Sequence, residues 1–151
     1  MIKIICVGKV KEKYLSEAIS EYQKRLSKYT KLEIIQVDDY DSDNIDIMKK
    51  KEEELILKHL NPKDYIITME IKGNMLTSEE FASKIDSTLM SNPNITFIIG
   101  GSCGLSDNIL KLSNYPLSFS KMTFPHQLFR VILLEQIYRA FKILKNESYH
   151  K

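Results

Sequence analysis

Short apolar runs alternate with longer amphipathic stretches along this chain. Ile2–Val7, Leu32–Val37, Tyr65–Glu70 and Ile95–Ile99 are compact, rich in β-branched residues, and predict strands. Leu117–Phe119 predicts a fifth, shorter one. Between the first two, Leu15, Ala18, Ile19, Tyr22 and Leu26 recur at helical spacing and predict a helix over Tyr14–Tyr29. A second helix is expected over Ile45–Leu60, ended by Asn61-Pro62 because the residue before proline avoids the helical region. Thr77-Ser-Glu-Glu80 reads as a capping box opening a helix over Glu79–Met90. Ser106 or Asp107 caps a short helix reaching about Leu112, and a long one runs from about Gln127 to Leu144. This rhythm predicts one α/β domain over residues 1–151. Its five-stranded, mostly parallel sheet would carry helices on both faces.

The last helix departs from the pattern of a surface helix. Leu128, Phe129, Val131, Ile132, Leu133, Leu134, Ile137, Tyr138, Ala140, Phe141, Ile143 and Leu144 point almost all round its axis. A one-sided helix would show a stripe about 100° wide. One face must pack on the sheet. The other is either buried within its own monomer or covered by a partner subunit, and the second is the economical answer, so a homodimer is expected.

Composition places the chain among ordinary globular proteins. Of 151 residues 43% are hydrophobic and 28% charged, enough for one apolar core. Two cysteines, Cys6 and Cys103, exclude a disulfide scaffold and lack metal-ligand spacing. No apolar run reaches the roughly 18 residues of a membrane span, and Gly8-Lys9 interrupts the first strand before any signal-peptide core forms. A cytoplasmic protein without membrane partners is expected.

The net charge of +2 conceals a division. Residues 1–31 carry eight basic and three acidic groups, a balance of +5, and residues 111–151 carry seven and two, again +5. Residues 32–110 carry seven basic and fifteen acidic groups, a balance of −8. Either the lysines are scattered solvated surface, or the two basic ends meet and offer phosphates a landing site.

In parallel α/β sheets, ligands bind beyond the carboxyl ends of the strands. Three loops there have unusual composition: Met69–Leu76, Gly100–Ser106 and Ser118–His126. Gly100-Gly-Ser-Cys-Gly104 matches the G-x-S-x-G nucleophile elbow formally, with Ser102, Glu135 and His150 as a conceivable triad. It fails both the dinucleotide and the P-loop patterns. The loop is then either a tight turn or a place where a ligand touches backbone, since glycine has no Cβ in the way. Phe119 and Phe124 either flank a flat ring or belong to the core.

Three segments together resemble the SPOUT class of ribosomal RNA methyltransferases that act on N3 of a pseudouridine in large-subunit (23S) RNA. They are Phe97-Ile-Ile-Gly-Gly-Ser-Cys-Gly-Leu-Ser106, Leu117-Ser-Phe-Ser-Lys-Met-Thr-Phe-Pro-His126, and Arg130 with Glu135-Gln-Ile-Tyr-Arg-Ala140. The Tyr149-His-Lys151 ending and Val7-Gly8-Lys9 are similar as well, so the resemblance spans nearly the whole chain. It implies a C-terminal trefoil knot, a homodimer with the active site between subunits, and S-adenosylmethionine held in the knot loops without a metal. The donor contacts it implies are Met69, Gly100, Phe119, Ser120, Lys121, Met122, Thr123 and Phe124. The imide N3 must lose a proton before it can act as a nucleophile. His126, Glu135, Tyr149 and His150 are candidate bases by type, and Lys121, Arg130 and Arg139 can stabilise the anion or hold phosphate. With so little chain for RNA recognition, the expected substrate is RNA within the assembled ribosome. A SPOUT enzyme acting on tRNA and a non-catalytic nucleotide-binding module are the alternatives.

Overall fold

The central strands are apolar on both sides, and their alternate residues feed two different cores. The computed structural model describes residues 1–151. In chain order the elements are β1 (Ile2–Val7), α1 (Lys13–Leu26), β2 (Leu32–Val37), α2 (Ile45–Leu57), β3 (Tyr65–Met75), α3 (Ser78–Ser91), β4 (Ile95–Ile99), α4 (Asp107–Leu112), β5 (Tyr115–Ser118) and α5 (His126–Leu144). Ile4, Cys6, Ile67, Phe97 and Ile99 pack with Leu26, Phe81, Ile85, Leu133 and Ile137, on the face covered by α1, α3 and α5. Ile5, Val7, Ile66 and Ile98 pack with Ile56, Leu105 and Ile109, on the face of α2 and α4. The expected two-faced α/β architecture is therefore present.

The strands pair in the order β2-β1-β4-β3-β5, all parallel. The connection from β3 to β4 runs through α3 on one face, and that from β4 to β5 through α4 on the other. Connections that diverge to opposite faces leave a crevice at the carboxyl ends of the strands.

Capping follows the sequence closely. Thr77 Oγ1 accepts from Glu80 N while Glu80 accepts from Thr77 N, a reciprocal capping box. Asn44 caps α2 and Ser106 caps α4. Several boundaries differ from expectation, among them the end of α1, at Leu26 instead of Tyr29. The α2 helix stops at Leu57, and His59 N and Leu60 N turn back to Ile56 and Leu57 carbonyls in tighter i→i−3 bonds. Strand β3 continues past Glu70 to Met75, because Asn74 and Met75 pair with Leu117 and Ser118 after a bulge that begins at Met69. Gly73 permits this, since a Cβ there would lie 2.8 Å from backbone atoms of Pro116 and Leu117. Strand β5 begins earlier than expected, at Tyr115, and takes in Pro116; an edge strand tolerates the missing N–H.

Helix α5 buries Leu133, Leu134, Ile137, Ala140 and Phe141. Its other face leaves Leu128 exposed and Val131 and Ile132 half-buried. No helix is long and apolar enough to cross a membrane.

Candidate active site

A cleft of about 680 Å³ opens at the carboxyl ends of β3, β4 and β5, within the size range of small-molecule sites. The three loops singled out in the sequence converge on it. Met69, Gly100, Phe119, Ser120, Met122, Thr123 and Phe124 line it, and His126 stands among them. Lys121 is exposed and lies outside the lining.

Local chemistry shapes each wall. In the glycine loop Gly104 N donates to Gly101 O at 3.0 Å, and Gly104 adopts φ +79°, a conformation that favours glycine. A Cβ on Gly100 would meet the Gly104 carbonyl carbon at 2.9 Å, so the chain passes itself at backbone contact there. Behind Gly101 the buried Glu52 carboxylate accepts from Tyr40 N, and burial pushes its pKa up. In the last loop, Met122 N donates to Ser120 Oγ at 2.9 Å, while Ser118 Oγ donates to the Ser120 carbonyl. Phe119 and Phe124 both pack on Phe129, at 5.3 and 5.9 Å between ring centroids. Of the two roles open to them, they take parts of both, packed on one side and lining the cleft on the other.

His126 begins α5, and neither of its ring nitrogens hydrogen-bonds within the chain. Burial, and then the Arg130 charge, hold its pKa below the ordinary histidine value. The positive end of the helix dipole acts in the same direction. The imidazole is therefore neutral at neutral pH and has a free lone pair.

The other sequence candidates lie elsewhere. Arg130 is only 3% exposed. Its Nη2 donates to the carbonyls of Val7 (2.8 Å) and Gly8 (2.6 Å), and its Nη1 to Gln36 Oε1 (3.1 Å). Arg130 thus ties α5 to the end of β1 and does not line the cleft. Tyr149 and His150 fold back on α3 and α5. Tyr149 packs edge-on against Tyr138 at 5.0 Å and donates to Glu135 Oε1 at 3.1 Å, and burial followed by the Glu135 charge pushes its pKa up to about 12. His150 bridges Arg139 and Glu79. Glu135 pairs with Arg139, so neither it nor His150 reaches Ser102, and the formal hydrolase triad is not assembled.

Glu70, Lys72, Lys49 and Phe129 also line the cleft. The first two lie inside a loop that the sequence singled out. Lys49 comes from α2, in the acidic middle of the chain, and Phe129 reads as helix core; neither carries a local signal.

Residues 1–150 match a family model described as "Predicted SPOUT methyltransferase". The chain belongs to the SPOUT methyltransferase family. It is 57% identical, over 99% of both chains, to a Clostridium botulinum (strain Okra / Type B1) protein named ribosomal RNA large subunit methyltransferase H. A Clostridium perfringens (strain SM101 / Type A) protein named ribosomal RNA large subunit methyltransferase H 1 is 55% identical over the same shares. Among solved structures, a probable methylase family protein from Haemophilus influenzae Rd KW20 shares the fold, with a TM-score of 0.61 at 12% identity, over 99% of this chain and 70% of that one.

Proposed function

We propose that this chain methylates N3 of a pseudouridine in large-subunit (23S) ribosomal RNA, using S-adenosylmethionine, and that it works as a homodimer on assembled ribosomes. The names of its Clostridium relatives support the substrate class. The observation that carries the reading is the convergence of three loops from three strand ends on one cleft in a methyltransferase fold. The cleft suits the donor. It offers apolar rings at Phe119, Phe124 and Phe129, and backbone free of side chain at Gly100, where a Cβ would collide with the Gly104–Leu105 chain. Met69, Gly100 and the Phe119–Phe124 loop would hold it. When bound, the donor supplies a methyl group already activated on a sulfonium.

The protein's own work is positioning and proton removal. Holding the imide nitrogen close to the methyl group and in line removes much of the entropic barrier. His126, neutral and unpartnered at the rim, would accept the N3 proton. The same reading carries the trefoil knot over the C-terminal part of the chain.

The test is a tritiated-methyl assay on ribosomes, separated subunits and deproteinised RNA from a strain lacking the protein. Label should enter 23S RNA in ribosomal particles. Label in tRNA, or in no RNA, would overturn the reading.

A further inference from the structure

We propose, taking the donor reading above as given, that Glu70 recognises the ribose of the methyl donor by accepting hydrogen bonds from its two hydroxyls. Glu70 is the one carboxylate among the residues that line the cleft. It lies directly after Met69, inside the bulge between the Met69 and Asn74 pairings, just past Thr68, where the ladder of β3 with β4 ends. An acidic side chain beyond the end of a parallel strand is how open α/β sheets commonly hold a ribose diol, because both hydroxyls donate and a carboxylate only accepts.

The carboxylate is also held in place. Thr68 is fully buried, and its Oγ1 donates to Glu70 Oε2 at 2.6 Å. Thr68 Oγ1 lies 2.7 Å from Ser113 Oγ, which can donate to it in turn, since a hydroxyl has one proton to give and can still accept. The chain Ser113–Thr68–Glu70 therefore orients one carboxylate oxygen through groups behind the strand. Oε1 has no hydrogen-bond partner within the chain. No Lys, Arg or His makes an ion pair with Glu70, although Lys49 and Lys72 line the same cleft. A half-buried carboxylate aligned by a buried hydroxyl, with no cation against it, is an acceptor ready for a neutral donor pair.

The experiment is calorimetry with three ligands: S-adenosylhomocysteine, 5′-methylthioadenosine, and the 2′,3′-dideoxy form of the latter. Methylthioadenosine has the diol but no amino-acid end, so it separates ribose recognition from capture of an ammonium group. The wild type should bind the dideoxy compound about tenfold or more weaker than methylthioadenosine, the scale of removing charge-assisted hydrogen bonds. Glu70→Gln keeps the side chain's size and its bond from Thr68 but removes the charge. It should weaken both diol ligands by a similar factor and abolish most of the preference for the diol. Glu70→Asp, with the carboxylate drawn back by one methylene, should give a smaller loss of the same kind, and it serves if the Gln variant fails to fold. An undiminished preference for the diol in a folded variant overturns the proposal. So does a loss confined to S-adenosylhomocysteine, which would make Glu70 an ammonium site. A wild type that binds none of the adenosyl ligands overturns the donor reading itself.

Discussion

Arg139 Nη1 lies 3.1 Å from His150 Nδ1, and His150 Nε2 lies 2.6 Å from Glu79 Oε1. A guanidinium only donates, so Nδ1 must be the acceptor and the imidazole proton must sit on Nε2, facing the Glu79 carboxylate. Backbone donation at the start of α3, together with the bond from His150, holds Glu79 below the usual carboxylate range. In this docked position His150 has no free lone pair for a substrate proton. His126 has one, and the two histidines therefore divide into a tail clamp and a candidate base.

A pH dependence follows for His126. Its folded pKa lies below the ordinary value, so the imidazole stays neutral through neutral pH and gains a proton only as pH falls below about 6.5. Single-turnover methylation should be flat above that point and fall on the acid side. His126→Gln should lower the rate about 100-fold and remove the acid limb. In the same window the unfolded chain binds more protons than the folded one. The stabilisation from a neutral His126 is thus complete above about pH 6.5 and lost as pH falls through the folded value. An unchanged acid limb in the variant would assign the titration to another group.

Gly100→Val should abolish donor binding in a chain that still folds. Any Cβ at this position meets Gly104 C at 2.9 Å, Gly104 O at 3.1 Å and Leu105 Cδ2 at 3.1 Å, so the glycine loop must shift into or away from the cleft. Met69→Leu, where backbone is the expected contact, should change affinity by less than about threefold, as volume-conserving swaps usually do. Calorimetry with S-adenosylhomocysteine reads both. Equal binding by the Val variant would move the pocket elsewhere.

The sequence made the cleft legible because its walls are punctuated: glycines, hydroxyls and aromatics crowd the ends of three strands, where the periodicity stops. Five strands and five helices were equally legible, since β-branched runs and capping residues are local signals. The extension of β3 was not, because Asn74 and Met75 become strand only by meeting β5, some forty residues away. Nor was the placement of Arg130. Nothing near it in the chain shows that the carbonyls of Val7 and Gly8 will need donors at the end of β1.

That placement decides where to look for RNA contacts. The loop after β1 does meet the start of α5, through Lys11 N donating to Gln127 Oε1 at 3.0 Å, so the two basic ends of the chain come together. Lys9, Lys11 and Lys121 are exposed. Replacing these three by Gln should reduce the slope of log affinity for ribosomal particles against log salt by about 0.7–0.9 for each phosphate no longer neutralised. Replacing Lys50 and Lys51, on α2, should leave it unchanged. Arg130→Met should instead lower the melting temperature, by the several degrees that about 2–4 kcal/mol produces, because it strips charged donors from two carbonyls. Equal salt slopes in the two lysine sets would detach the charge division from RNA.

The tail prediction joins the clamp to the dimer. Tyr149–Lys151 lies on α3 and α5, beside the Ser78–Gln136 pair that rims a second cavity of about 230 Å³. That cavity shares Leu117, Phe119 and Phe124 with the main cleft. The outer face of α5, with Leu128 exposed and Val131 and Ile132 half-buried, is the apolar surface available for a partner. A dimer formed there would set each docked tail next to the other subunit's loops. Deleting Tyr149–Lys151 should therefore leave dimerisation and donor binding intact and cut methyl transfer about 100-fold, the scale on which misplacing a positioned group costs rate. A Gly100→Val chain has an intact tail and a blocked cleft, so mixing it with the truncated chain should restore one composite site per heterodimer. Sedimentation establishes the assembly, and the tritiated-methyl assay reads the rescue. An active monomer, or a mixed dimer that associates without regaining activity, would show that each site is built from one chain alone.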